Sequence, residues 1–337
     1  MTRLQDLLEN ERVLLADGGM GTALFRRGLE TGDCPELWNI DHPDRVADVH
    51  REFVEAGSDI ILTNSFGGNA MRLKLHAAQD RVAELNAAAA RIARSVADMA
   101  GRTVLVAGSM GPTGEILEPV GSLSIGDATA AFADQAIALK QGGADLLWCE
   151  TLSSAEEMEA AIAGASRAGL PVVCTMSFDT NGRTMMGLTP DAALAHTRTL
   201  ASPPVAFGAN CGIGPAQLLG SILGMGRLAH AGDILVAKGN CGIPEYRDGH
   251  IHYSGTPDIM ATYAVMARDA GAAIIGGCCG TGGVHLAAMR KALDTMPKGP
   301  LPGIDAIEAQ LGAITTPTDA AESHKRDRDG RRRRRTG

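Results

Sequence analysis

The chain has 337 residues, of which 45% are hydrophobic, enough apolar material for one large core or two ordinary ones. Its formal net charge is −8, and the last residues, Lys325 to Gly337, carry eight basic and two acidic side chains, so the remainder sits near −14; an acidic body argues against nucleic acid as a partner, because phosphate binding needs a basic face. Seven cysteines, an odd number in a long chain, do not make a disulfide framework, and "MTRLQDLLENERVLLADGG" has no apolar run suited to secretion or to spanning a membrane. A soluble cytoplasmic protein with no membrane partner is expected, with homo-oligomerisation left open.

Taken in chain order, eight apolar runs each end on Gly, Asn, Cys or an acidic residue: "VLLADGG" (13–19), "DIILTNSF" (59–66), "TVLVAGSMGP" (103–112), "DLLWCET" (145–151), "PVVCTMSFD" (171–179), "PVAFGANC" (204–211), "DILVAKGN" (233–240) and "AAIIGGCC" (272–279). Segments of helical character lie between them, such as 42–57, 80–101, 127–143 and 256–271, and several close on Gly as a helix C-terminus should. Eight buried strands alternating with helices predict a single-domain (β/α)8 TIM barrel over residues 1–315. An open doubly wound sheet is the alternative, but it would gather polar residues at one switch point rather than at every strand end. Residues 316–337, with the run Arg331 to Arg335, read as a polar, Arg-rich disordered tail.

The strand ends carry Asp17, Asn64, Ser109, Glu150, Asp179, Asn210 with Cys211, Lys238 with Asn240, and Cys278 with Cys279. A barrel turns them all toward one mouth and brings Cys211 near the adjacent pair. Three converging thiols suggest a metal site. Thiolate selects Zn2+ among common cytosolic divalent ions, and a catalytic zinc takes three protein ligands and keeps a fourth position open. Gly276, Gly277 and Gly280 let the backbone bend so that both neighbouring sulfurs reach one ion. Read from spacing alone, Cys278 and Cys279 fit equally well as buried small hydrophobes or a vicinal redox pair. Cys149 and Cys174 lie within strands and read as core, Cys34 and Cys241 as loop residues, and His250 with His252 as an exposed hairpin. "GGMGT" lacks the spacing of a dinucleotide fingerprint.

"DGGMGT" (17–22), "TNSFGGN" (63–69), "GSMGPTGE" (108–115), "CET" (149–151), "GANC" (208–211) and "GGCCG" (276–280) occur in order at successive strand ends. Together they resemble the zinc-dependent homocysteine S-methyltransferase family, over residues 11–295. The resemblance implies methyl transfer to the thiol of homocysteine to give methionine, as in methionine biosynthesis, with Cys211, Cys278 and Cys279 as zinc ligands. It also implies that Asp17 and Glu150 receive the homocysteine ammonium and that the backbone around Gly18 to Met20 receives its carboxylate.

For the donor, members of the family that use betaine have a tryptophan and aromatic residues where this chain has Trp38 and Phe66; betaine or another small methylated donor is therefore expected there, held by cation–π attraction. Two further aromatic positions of those members are Gly67 and Thr151 here. Tyr246, Tyr253 and Phe178 lie in strand-end loops. "TNSFGGN" and "GPTGE" resemble family members that take the methyl group from a corrinoid, which implies the alternative of a corrinoid-bearing partner protein. S-methylmethionine or another sulfonium is a third donor class.

Overall fold

The computed structural model describes residues 3–10, 13–247 and 250–314. Its parallel strands are β1 (Leu14–Leu15), β2 (Ile60–Leu62), β3 (Leu105–Met110), β4 (Leu146–Leu152), β5 (Val172–Met176), β6 (Ala206–Cys211), β7 (Leu235–Gly239) and, after an antiparallel hairpin of β8 (Pro244–Arg247) and β9 (His250–Tyr253), β10 (Ala272–Gly277). The large sheet runs β1-β10-β7-β6-β5-β4-β3-β2. A parallel bridge between Ala16 and Ile60 joins its two ends, so the eight strands close into the expected barrel.

Each apolar run is continuous because both faces of its strand are covered. Alternate residues go to two different cores. Leu14, Ile60, Leu105, Leu146, Trp148, Val173, Val236 and Ile274 fill the barrel interior. Leu15, Ile61, Val106, Leu147, Cys149, Cys174, Ala237 and Ile275 face the surrounding helices. Cys149 and Cys174 are thus packing residues, as their place within strands indicated. The N-terminal end of the barrel is stoppered by the amphipathic helix Arg3–Asn10, whose Leu4 joins the interior cluster and whose Arg3 pairs with Asp145 at 2.8 Å.

The helices Ala155–Ser166 and Pro257–Asp269 begin on Ser154 and Thr256, whose hydroxyls accept from backbone N–H groups in the first turn. The described chain continues past the helix Ile304–Leu311, and the residues expected to form the Arg-rich tail lie outside the described residues. His250 and His252 do fall on a hairpin strand. None of the described helices is long and apolar enough to cross a membrane.

Candidate metal and substrate site

The C-terminal ends of the strands open onto a cavity of about 350 Å3, lined among others by Gly18, Phe66, Glu150, Lys238 and the three predicted thiol ligands. Cys211 Sγ lies 3.2 Å from Cys278 Sγ and 4.0 Å from Cys279 Sγ, and all three sulfurs are within 4.8 Å of one another. Tetrahedral zinc–thiolate bonds of about 2.3 Å place sulfurs roughly 3.8 Å apart, within the spread seen here. The donor set therefore fits a zinc-sized thiophilic ion. Among the described residues it is the sole cluster of three or more His, Cys, Asp or Glu side chains with ligand atoms so close.

The backbone is shaped to present these sulfurs. Cys211 has φ +61°, a left-handed conformation that costs a side-chain-bearing residue about 1–2 kcal/mol and must be held by its surroundings. Its neighbour Asn210 supplies part of the hold: the amide accepts from Thr151 N–H at 2.9 Å and donates to Thr151 Oγ1 at 2.7 Å. Asn240 links the other loops, accepting from Cys279 N–H at 3.0 Å while donating to Gly212 O at 2.6 Å. Gly280 has φ +82°, and a Cβ there would lie 2.3 Å from the Tyr253 ring. The Tyr253 hydroxyl donates to Cys279, which hydrogen bonds from Cys211, Cys278 and Tyr253 hold low, at about 3. Cys211 pulls Cys278 down, but Cys279 and burial outweigh it and push the thiol up to about 11. The three thiols titrate as one interacting set, and binding a cation would require their protons to leave. Cys241 stands apart, its thiol donating to Gly255 O at 3.1 Å.

The two acids of the expected pair are placed differently. Glu150 lines the cavity, and its Oε1 accepts from Ser109 Oγ at 2.5 Å. Burial pushes its carboxyl up to about 7. Asp17 is fully buried and does not line the cavity: Oδ2 accepts from Leu62 N–H at 2.7 Å and Oδ1 lies 3.1 Å from Lys238 Nζ. Sequence reasoning placed Ser109 and Lys238 at strand ends but gave neither a task.

The aromatic expectations also separate. Phe66 lines the cavity and is 38% exposed. Trp38 is only 6% exposed, packs in the helix–barrel core, and has Arg45 over its ring at 5.1 Å. A cation of the chain already occupies that face. Phe178 is buried in the core, Asp179 is exposed outside the cavity lining, and the Tyr246 side chain lies outside the described residues. Glu36, which the sequence did not single out, forms cavity wall while its Oε1 accepts from Gly67 N–H at 2.7 Å.

A sequence model of the homocysteine S-methyltransferase family matches residues 14–293. The chain belongs to the homocysteine S-methyltransferase family. It is 33% identical over 301 residues to a methionine synthase of Mycobacterium tuberculosis and 32% identical over 317 residues to one of Mycobacterium leprae, covering 85% and 87% of this chain. It spans about a quarter of the length of those relatives, 25% and 26%. Among solved structures it is similar to the Escherichia coli homocysteine methyltransferase MmuM. The metallated form superposes with a TM-score of 0.70 at 26% identity, covering 86% of this chain and 99% of that one. The oxidised form gives 0.70 at 27%, covering 86% and 98%.

Proposed function

We propose that the protein transfers a methyl group to the sulfur of homocysteine, yielding methionine, in the cytoplasm, where reducing conditions keep its thiols available. The observation that carries this reading is the convergence of Cys211, Cys278 and Cys279 on the cavity that also presents Glu150 and Lys238. A zinc ion held by the three sulfurs would supply Lewis acidity that keeps a thiol, otherwise only a few per cent ionised at neutral pH, in its nucleophilic form. The chain's own residues do the rest. Glu150, fixed by Ser109, offers a carboxylate to the substrate ammonium. The walls around the thiols exclude bulk water and hold the sulfur in line with the methyl carbon. As the new S–CH3 bond forms, the bond from carbon to the donor's heteroatom breaks and its electron pair leaves with the donor, so that step needs no general base.

The cavity volume of about 350 Å3 suits small molecules, which supports a small methylated donor such as betaine or a sulfonium like S-methylmethionine. Phe66 is then the aromatic face nearest a cationic methyl group. A second reading has its own support. The loops around the mouth expose Ile116, Val120, Met185 and Met186, at 56%, 72%, 74% and 46%, an apolar rim suited to a docking protein. A corrinoid is too large for the cavity, so a corrinoid-bearing partner would deliver its methyl group from that rim. The test is to supply zinc-loaded protein and homocysteine with betaine, S-methylmethionine and methylcobalamin in parallel and to measure methionine. Absence of methionine with every donor, also when a corrinoid protein is added, would overturn the proposal.

A further inference from the structure

We infer that Arg72 selects the methyl donor by holding the carboxylate of a small onium compound, a quaternary ammonium or a sulfonium that carries an acid group. This rests on the methyl-transfer reading above and names the class of donor that the same cavity takes.

Arg72 lies on the helix Ala70–Leu73, which follows β2, and lines the cavity together with Phe66 and Glu36. Its backbone is fixed by Asn69, which caps the helix by accepting from Arg72 N–H at 3.0 Å. The side chain lies over Gly114, where a Cβ would sit 3.0 Å from a guanidinium nitrogen. Among the described residues that guanidinium has neither an ion pair nor a hydrogen bond. Arg27, Arg81, Arg94, Arg198, Arg268 and Arg290, the other described arginines that are not exposed, each pair with a carboxylate. Drawing a cation partly out of water without a counter-ion is unfavourable, so an unpaired guanidinium in a cavity wall is poised for an anionic ligand. The lining's lysine, Lys238, is by contrast already paired with Asp17 at 3.1 Å.

The placement suits the donor rather than the acceptor. Around the closed barrel β2 stands opposite β6, so the wall that carries Arg72 faces Cys211 across the mouth. In-line transfer puts the attacking sulfur and the leaving atom on opposite sides of the methyl carbon. With the sulfur at the thiol cluster, the body of the donor extends toward the far wall. Phe66 and Arg72 meet the same loop there, the ring at Gly111 and the guanidinium at Gly114. Three residues of chain span at most about 10 Å, within reach of one small molecule. The cationic end then meets the ring and the Glu36 carboxylate, which accepts from Gly67 N–H beside it, and Arg72 takes the acid group.

The test compares each donor with the analogue that lacks only its carboxylate: betaine with tetramethylammonium, and S-methylmethionine with (3-aminopropyl)dimethylsulfonium. Each compound is titrated calorimetrically into zinc-loaded protein, and methionine formation from homocysteine gives kcat and KM. Wild type is expected to favour the carboxylate-bearing member of at least one pair by about 10–100-fold in Kd and KM, the range of a charge-assisted hydrogen bond. Arg72→Met should erase that preference by weakening the carboxylate-bearing donor alone, leaving the KM of homocysteine and the affinity for the analogue unchanged. Arg72→Lys, which keeps the charge, should retain part of it. No preference in wild type, a preference that survives in Arg72→Met, or equal weakening of both members of a pair shows that Arg72 does not read the carboxylate, while the homocysteine reading stands. Methionine from methylcobalamin but from no onium compound also overturns the inference and leaves that reading intact. If no donor yields methionine, both fall.

Discussion

Cys211 on β6 and Cys278, which follows β10, are separated by 67 positions, yet their sulfurs lie 3.2 Å apart. β7 stands between the two strands, hydrogen-bonded to both, so the pair meets by reaching across one strand end at the mouth. Replacing either residue would remove one of the three proposed ligands. Cys211→Ser and Cys278→Ser should each lower zinc affinity by more than the ~10–100-fold typical of losing a group that only supports a ligand. Elemental analysis and a competing chelator measure this; retention of one zinc per chain at wild-type affinity by both variants would rule out the three-thiol site.

Ser109 donates to Glu150 at 2.5 Å in a buried setting. Ser109→Ala removes a hydrogen bond to a charged acceptor, a loss of about 1.5–3 kcal/mol when the carboxylate is ionised. Homocysteine binding should weaken by roughly 10–100-fold, chiefly in KM, and the loss should shrink with 4-sulfanylbutanoate, which has no ammonium for Glu150 to meet. Equal weakening for both thiols would show that Ser109 acts elsewhere.

Glu150 also imposes a pH-dependent cost. Its carboxyl titrates near 7 in the fold against an ordinary 4.5, owing first to burial. Between those values the native protein holds a proton that the unfolded chain has released, so stability falls as pH rises through this window. In metal-depleted protein, Glu150→Gln should stabilise by on the order of 3 kcal/mol at pH 8 and by almost nothing at pH 4. Urea denaturation at the two pH values measures this, and an equal effect at both contradicts it.

Trp38 and Phe66 should behave differently when truncated. Trp38→Ala opens a cavity in the core and should cost about 3–5 kcal/mol of stability. Phe66, whose ring lies over Gly111 at the cavity wall, should tolerate Ala with a smaller loss of stability but weaken a cationic donor, by about 0.5–2 kcal/mol of cation–π attraction. Thermal melts and KM for the donor separate the two effects. Unchanged KM for every cationic donor in Phe66→Ala would exclude the aromatic contact.

Gly280→Ala places a side chain at φ +82° and against Tyr253. The substitution should displace the loop that carries Cys279 and weaken zinc binding while the barrel still folds. Wild-type zinc affinity in this variant would mean that the loop has another way to bend.

The barrel and its thiol cluster were legible in the sequence because both depend on local pattern. A strand covered on both faces must be apolar throughout, so eight such runs with polar ends determine the fold class, and strand-end position alone brings Cys211 to Cys278 and Cys279. What the sequence could not determine is which way each strand-end side chain turns and what it meets across the mouth. Asp17 and Glu150 look equivalent in the chain, but Lys238, 3.1 Å from Asp17, ties the first to a buried pair and leaves the second at the cavity. Trp38 reads as a loop aromatic; the packing of the helices around it and the guanidinium of Arg45 make it core. These are pairings between residues far apart in sequence, set by the closure of the barrel, and only the tertiary structure decides them.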